Sequence, residues 1–215
     1  MRRRSKGVTG FMKKMSMGFP LFRSGLLSLM MVVTAACSAQ NEATVPAVTL
    51  PATAEQLSVK GVENFHRVSK TLYRSGQPTP EGFTHLQAEG IRSVLNLREY
   101  HKDTRRARHT NLHLMAYPMA AGDVKEADVE NCLRLIAQAP GPVLVHCWHG
   151  SDRTGIVVAA WRIVYENWTV AQAEAEFRNE LYGHHEFWYG NLVELLHSTD
   201  WNAMRERLTK SGDVQ

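Results

Sequence analysis

The stretch PVLVHCWHGSDRTGIVVAAWRIVY, residues 142–165, decides the fold. Its first part, Pro142 to His146, is a short apolar run of the kind that forms a buried strand in a parallel sheet. Its last part, Thr154 to Tyr165, is apolar nearly all round, which predicts a helix in the core. This arrangement places Cys147 at the carboxyl end of a central strand, where open α/β sheets bind ligands.

Strand-like and helix-like segments alternate around this stretch. Thr79 suits an N-cap, with Pro80 at the first helical position and Gly90 just past the end of that helix. Other strands are predicted at Leu72–Ser75, Ile91–Leu97 and Asn111–Met119, and other helices at Ala127–Gln138, from a capping box at Thr169 and Gln172 to about Leu181, and through most of Leu192–Leu208. The alternation predicts one α/β domain, a sandwich with a central, mainly parallel sheet flanked by helices.

The loop after Cys147 combines groups that hold an anion. A thiol attacks as the thiolate, and free cysteine titrates near ~8.5. Peptide N–H groups and the dipole at a helix N-terminus stabilise thiolate and phosphate alike. Gly150 permits a turn that a side chain would obstruct, and Arg153 can make a two-point contact with phosphate oxygens. We expect Thr154 to donate its hydroxyl to the sulfur and His146 to brace the loop.

His146-Cys147, five further residues, Arg153 and then Thr154 resemble the phosphate loop of the cysteine-dependent protein tyrosine and dual-specificity phosphatases. The resemblance spans about Phe65 to Leu196 and is closest to a small bacterial group that includes exported enzymes. Besides the loop, it rests on LYRSGQP (72–78), SVLNLR (93–98) and WRIVYENW (161–168).

The resemblance implies the fold of that family and hydrolysis of a phosphate monoester through a phosphocysteine, with no metal and no other cofactor. Cys147 would be the nucleophile. The resemblance also implies that the loop binds the phosphate through Trp148, His149, Gly150, Ser151, Asp152 and Arg153.

The family carries an aspartate on a mobile upstream loop to protonate the leaving oxygen. Asp123 is the preferred candidate, because it follows a predicted strand, precedes a predicted helix and adjoins a glycine. A purely capping role for Asp123 is the alternative. Asp152 is its rival, because an aspartate just before the loop arginine resembles myotubularin-like and some bacterial lipid phosphatases; otherwise Asp152 only orients the loop. Glu126 and Asp128 are less favoured.

Two further features of the domain admit simple interpretations. Cys132 could form a protective disulfide with Cys147, as in some relatives, but its place on a helical face is typical of core packing. His184 and His185 adjoin Glu186 with a spacing that matches no metal motif, so no metal site is predicted.

The amino-terminal residues predict export. Residues 1–36 contain basic residues followed by the uncharged apolar run Ser24 to Ala36, which indicates a signal peptide and is shorter than the ~18 residues of a membrane-spanning helix. Thr34 to Cys37 resembles a bacterial lipobox, which predicts lipidation of Cys37 and a membrane anchor on the periplasmic side of the envelope. Ordinary cleavage, giving a soluble periplasmic protein, is the alternative. Residues 37–56 predict a flexible tether, and 57–215 the phosphatase domain.

Removing residues 1–36 reverses the net charge. Seven of the 25 basic residues precede Cys37, which leaves 18 against 21 acidic ones and changes +4 to −3. The basic balance is therefore a property of the signal, and nucleic-acid binding loses its support. The segment Arg98–Arg108 stays basic, and is either a solvated loop or a rim that attracts anionic substrates.

We expect the partner to be a phosphorylated envelope protein, with phosphotyrosine favoured. A phosphorylated small molecule or lipid, as for a phosphoinositide or inositol-phosphate phosphatase, is the alternative substrate. Two other functions are less favoured: a module that binds phosphorylated ligands but turns over slowly, and a rhodanese-like sulfurtransferase, whose cysteine loop differs in length and arginine placement.

Overall fold

The computed structural model describes residues 51–210. In this part of the chain one sheet holds six strands in the order β1-β2-β3-β6-β4-β5. The strands are β1 (Glu55–Gln56), β2 (His66–Arg67), β3 (Leu72–Ser75), β4 (Ser93–Asn96), β5 (His113–Ala116) and β6 (Val143–His146). The pairs among β3, β6, β4 and β5 are parallel, and β1 and β2 add an antiparallel edge. The predicted α/β fold with a mainly parallel sheet is confirmed.

Helices cover both faces of this sheet. They are α1 (Pro80–Ala88), α2 (Glu126–Gln138), α3 (Asp152–Tyr165), α4 (Val170–Phe177), α5 (Glu186–Tyr189), α6 (Asn191–Ser198) and α7 (Trp201–Lys210), with short 3-10 turns at Ala121–Asp123 and Glu180–Tyr182. Helix α1 begins as predicted, because the Thr79 side chain accepts a hydrogen bond from the amide of Gly82. No helix within residues 51–210 is long and apolar enough to cross a bilayer.

The central strand β6 joins the two halves of the core. Val143 and Val145 pack into the larger cluster with α2, α3 and the C-terminal helices. Leu144 points to the other face and packs with residues of α1 and β4. Alternate residues of a strand face opposite sides of the sheet, so a strand covered on both faces has to be apolar throughout. This explains why Pro142 to His146 contains no exposed polar residue.

Helix α2 shows the predicted amphipathic pattern. Val129, Cys132, Leu133 and Ile136 are its buried residues. Cys132 is a free thiol in this core, and its burial, followed by the nearby charge of Asp128, raises its pKa. Cys147 is also free. Cys132 therefore packs as an apolar side chain, as its place on the helix predicts.

Several predicted boundaries were wrong. Residues 54–56, assigned to the tether, belong to the fold: Glu55–Gln56 forms β1, and the Ala54 amide donates to Glu176 Oε1 at 3.0 Å. The helix after Thr169 ends at Phe177. Helices α6 and α7 divide the region predicted as mostly helical near Thr199, whose hydroxyl donates to the Leu195 carbonyl. The predicted signal peptide and Cys37 lie outside the described residues.

A buried ion pair holds Ala54 in place. Arg162 on α3 donates from Nε and Nη2 to the Glu176 carboxylate on α4 at 2.9 and 2.8 Å. Its Nη1 also donates to the Val68 carbonyl at 3.1 Å, and the guanidinium lies over the Trp168 ring. Buried charges of this kind are tolerated because each is paired in a fixed two-point geometry.

We expect Glu176→Gln to destabilise the domain by roughly 3 kcal/mol, because Arg162 would keep its buried charge and lose its principal carboxylate. Glu174→Gln on the same helix is the matched control. Glu174 pairs at the surface with Arg178 and His197, so its loss should cost less than about 1 kcal/mol. Urea unfolding of both variants measures the difference. Equal losses of unfolding free energy in the two variants would contradict the larger contribution expected of the buried pair.

Candidate active site

The loop that joins β6 to α3 is held by hydrogen bonds to its carbonyl oxygens. The Trp148 carbonyl accepts from the Gln77 amide at 2.9 Å, and the His149 carbonyl accepts from Asn64 Nδ2 at 2.9 Å. The Gly150 carbonyl accepts from Nη2 of the buried Arg74 at 2.7 Å. In a trans peptide the N–H of the next residue points the opposite way. Binding the carbonyls on one side therefore turns the N–H groups of residues 149–151 to the other.

Gly150 is required at its position in the loop. Its φ is +78°, in the left-handed region that favours glycine. A Cβ atom there would lie 2.5 Å from the carbonyl carbon and oxygen of Ser75. Both the backbone conformation and the close approach of β3 exclude a side chain, as the sequence predicts.

Cys147 and Arg153 line the same cleft. Cys147 is 3% exposed, and the cleft of about 460 Å³ is lined by Ala121, Cys147, Trp148, His149, Asp152, Arg153, His185, Trp188 and Tyr189. Arg153 Nη1 donates to the Met119 carbonyl at 3.1 Å, which fixes the guanidinium. Its Nε is buried and has no hydrogen-bond partner within residues 51–210. A fixed guanidinium that lines the same cleft as a cysteine suits an oxyanion.

The predicted bond from Thr154 to the sulfur is not formed. Thr154 is fully buried, and its Oγ1 has no hydrogen-bond partner in the described part of the chain. Ser151 is buried at the start of α3 and its side chain makes no capping hydrogen bond. The hydroxyl groups of the loop therefore leave Cys147 to the peptide N–H groups and the helix N-terminus.

His146 braces the loop as predicted. Its Nε2 donates to Asp103 Oδ2 at 2.7 Å, and both side chains are buried. Gln77 Nε2 donates to the other oxygen of Asp103 at 3.2 Å. Sequence reasoning missed Asp103, which lies in the basic segment Arg98–Arg108. That segment is more than a solvated loop, because Arg98, Asp103 and Ala107 are all buried.

Asp152 ties the loop to the segment that forms one wall of the cleft. Oδ1 accepts from His184 Nδ1 and from the His185 amide, both at 2.9 Å, and Oδ2 accepts from His185 Nδ1 at 2.9 Å. Burial alone would raise the pKa of Asp152, but these hydrogen bonds outweigh it and lower the pKa to about 2. The carboxylate is therefore ionised near neutral pH and has no proton to donate.

The same hydrogen bonds make Asp152 a stabilising group. Its folded-state pKa of about 2 lies below the ordinary 3.8. The contribution to stability is complete above the ordinary value and is lost as the pH falls through the folded-state pKa. Of the two roles considered for Asp152, the geometry therefore supports orienting the loop and its neighbours over protonating a leaving group.

Asp123 does not line the cleft. It ends the 3-10 turn Ala121–Asp123, its side chain is 71% exposed, and its carboxylate pairs with Lys125 Nζ. The turn itself belongs to the site, because Ala121 lines the cleft and its carbonyl accepts from Asn191 Nδ2 at 3.2 Å. The structure thus places Ala121 of this segment at the cleft and leaves the Asp123 side chain exposed beside Lys125.

Aromatic side chains surround the mouth of the cleft. Trp148 and His149, expected at the rim, are both exposed. Trp188 and Tyr189 of α5 form the opposite wall, which sequence reasoning missed. The one sequence feature that could have indicated this wall was the neighbouring pair His184-His185, which was considered only as a possible metal site. Within residues 51–210 no three His, Cys, Asp or Glu side chains are placed to share a metal ion.

Comparisons with known proteins find phosphatases among the relatives of this chain. Over 124 residues the chain is 35% identical to the dual specificity protein phosphatase TpbA of Pseudomonas aeruginosa, a match covering 56% of each chain. It is 28% identical to the inositol diphosphatase DSP5 of Arabidopsis thaliana, over 54% of this chain and 60% of that protein. The chain thus spans little more than half the length of these curated relatives.

The solved structures include TpbA itself. The crystal structure of P. aeruginosa TpbA matches with a TM-score of 0.67 and 28% identity, covering 74% of this chain and 98% of that one. A cysteine-to-serine variant of TpbA in complex with pTyr matches equally well. A family model described as the tyrosine phosphatase family matches residues 61–188. That match covers more than half of the sequence, and the chain belongs to the tyrosine phosphatase family.

Proposed function

We propose that this protein hydrolyses phosphate monoesters through a phosphocysteine, with phosphotyrosine in proteins as its favoured substrate. The observation that carries the proposal is the cleft that buried Cys147, the loop after it and Arg153 line together. Its similarity to TpbA, named a dual specificity protein phosphatase, supports the same reaction.

The reaction has two steps. The Cys147 thiolate attacks phosphorus, the bond to the leaving oxygen breaks, and that oxygen takes a proton. Water then attacks the phosphocysteine, which releases phosphate and restores the thiolate. Arg153 and the loop amides hold the three non-bridging oxygens in both steps, and they stabilise the charge that develops there.

We assign the proton donor to Asp123. Its segment reaches the cleft through Ala121. Its carboxylate pairs with Lys125 at the surface, so that ion pair can break at little cost in free energy. Closure of the segment over a bound substrate would bring the carboxyl group to the leaving oxygen. Asp152 is unsuited to this task, because its hydrogen bonds hold it ionised.

The walls of the cleft favour an aromatic leaving group. Trp188, Tyr189 and His185 line it opposite the loop, and flat rings pack well against a phenyl ring. An inositol phosphate is the second candidate. It is supported by the similarity to DSP5 and by a separate hollow lined by Arg105, Arg106 and Arg108, where further phosphates could bind. Phosphopeptides and inositol phosphates assayed side by side distinguish the two substrate classes.

We also propose that the protein acts on the periplasmic side of a bacterial envelope, anchored by lipid at Cys37. The support is the basic and then apolar composition of residues 1–36 and the lipobox-like Thr34 to Cys37. The partners would then be phosphorylated envelope proteins. Ordinary signal cleavage would give a soluble periplasmic enzyme with the same active site.

Cys147→Ser should abolish turnover of para-nitrophenyl phosphate and still bind a phosphotyrosine peptide, because the amides and Arg153 remain. Arg153→Lys should lose most activity, since a point charge does not replace the two-point guanidinium contact. Steady-state kinetics and peptide binding by calorimetry measure both. Substantial turnover by purified Cys147→Ser would contradict the phosphocysteine mechanism, and slow turnover by the wild type with tight peptide binding would indicate a binding module.

Asp123→Asn should slow hydrolysis of phosphotyrosine by about 10²- to 10⁴-fold and that of para-nitrophenyl phosphate much less, because the better leaving group needs less protonation. The alkaline fall in the pH–rate profile should flatten. Asp152→Asn is the control. It should lower the rates on both substrates similarly and keep the alkaline fall, because Asp152 titrates far below neutral pH. Loss of that fall in Asp152→Asn alone would transfer the acid role to Asp152.

Labelled palmitate should enter the wild-type protein in a bacterial host and not a Cys37→Ala variant, because the proposed acyl group is carried by that cysteine. Fractionation should find the wild type in the membrane of the envelope. Cys132→Ala is the matched cysteine control and should be labelled normally. A mature wild-type protein that is periplasmic and free of lipid would contradict the anchor and favour ordinary cleavage.

A further inference from the structure

Arg98 is a buried arginine that makes no side-chain ion pair within 4.0 Å among the salt bridges of residues 51–210. It is 4% exposed, and both Nη1 and Nη2 are covered and lack a hydrogen-bond partner within residues 51–210. Its guanidinium lies against the ring of Trp148, with Cζ 4.8 Å from the ring centroid. Stacking on an indole is favourable, but a buried cation without a hydrogen-bonded anion remains destabilising. Such a group calls for a functional explanation.

The sheet places Arg98 beside the loop of the active site. Strands β4 and β6 are parallel, with Asn96 opposite His146, and the Leu97 amide donates to the His146 carbonyl at 2.9 Å. Arg98, two residues after the end of β4, therefore lies at the same level along the sheet as the first loop residues, Cys147 and Trp148. Burial lowers the pKa of Arg98 most, while the nearby charge of Arg153 lowers it further and that of Cys147 raises it.

Asp103 is the charged group that acts most strongly on Arg98, but it already accepts hydrogen bonds from other residues. Asp103 attracts Arg98 electrostatically, but its two oxygens accept from Gln77 and His146. Arg106 and Arg153 add further positive charge around Trp148. Among these guanidinium groups the negative charges that act on Arg98 are those of Asp103 and the Cys147 thiolate. The region behind Trp148 is thus positive overall and suits an anion in the adjoining cleft.

We propose that Arg98 is a second arginine of the anion site, which from behind Trp148 stabilises the Cys147 thiolate and the bound phosphoryl group through its electric field. The inference rests on the function proposed above. A substrate in the cleft would not touch Arg98, because Arg98 is not among the residues that line it. Its charge acts through the protein interior, where water and salt screen it less than at the surface. Arg98 is thus a supporting residue rather than a catalytic one.

Arg98→Met tests the role of the charge, because methionine keeps an unbranched apolar chain against Trp148. In a buffer free of phosphate and sulfate, calorimetry should show tungstate binding weakened about ten-fold or more. Iodoacetamide should alkylate Cys147 several-fold more slowly near pH 6. Arg98→Lys should restore most of both properties. Lys102→Met, which removes an exposed charge from the same segment, should change neither by more than about two-fold.

Thermal unfolding separates this role from mere support of Trp148. Without an oxyanion, Arg98→Met should unfold at the same or a higher temperature than the wild type, because it removes an unpaired buried charge. Saturating tungstate should raise its Tm less than it raises that of the wild type. A lower Tm together with unchanged tungstate affinity and alkylation rate would show that Arg98 only supports Trp148, and would overturn the proposal.

Two further outcomes separate the hypotheses. An activity loss in Arg98→Met confined to substrates with a second phosphate, such as an inositol pyrophosphate, would overturn the field effect in favour of direct contact with that phosphate. If the wild type binds tungstate and hydrolyses para-nitrophenyl phosphate, and Arg98→Met does both equally well, the role proposed for Arg98 is wrong. The proposed function then stands. A wild type that does neither would overturn the proposed function on which the inference rests.

Discussion

The active site depends on one constraint: the carbonyl oxygens of residues 148–150 have to be bound from outside the cleft. Only then do the peptide N–H groups that follow them converge on Cys147. The three donors that meet this requirement come from two segments: the Asn64 side chain from one, and the Arg74 guanidinium and the Gln77 amide from the other. The parallel pairing of β3 with β6 brings Arg74 and Gln77 to the loop, so the sheet register and the anion site are set together.

Buried polar pairs fix the surrounding segments in the same way. Asp103 holds His146 beneath the loop, Asp152 holds His184 and His185 at its far end, and Glu176 holds Arg162 in the core. Each pair joins segments that are distant in the sequence. Because a buried charge that loses its partner is strongly destabilising, each pair selects one arrangement of those segments over its alternatives.

The sequence pattern predicted those parts that local physics decides. The apolar strand, the glycine turn and the buried helix around Cys147 follow from residues within a short window, as does the buried face of α2. Asp103, Arg74 and His184 could not be found in this way. Their partners lie 43, 76 and 32 residues away, and one sequence contains no record of which distant groups pair. The tether boundary was wrong for the same reason, because Ala54 is held by Glu176.

The clamp between Asp152 and the two histidines has a consequence for how specificity can change. Segment 184–189 contributes the aromatic wall, yet it is hydrogen-bonded to the residue that precedes Arg153. Substrate selection and phosphate binding are thus not independent modules. A replacement wall grafted from another enzyme would have to retain two donors for Asp152, or the phosphate-binding loop would change with it. Diversification at this rim is therefore restricted to the side chains beyond His185 that line the cleft, Trp188 and Tyr189.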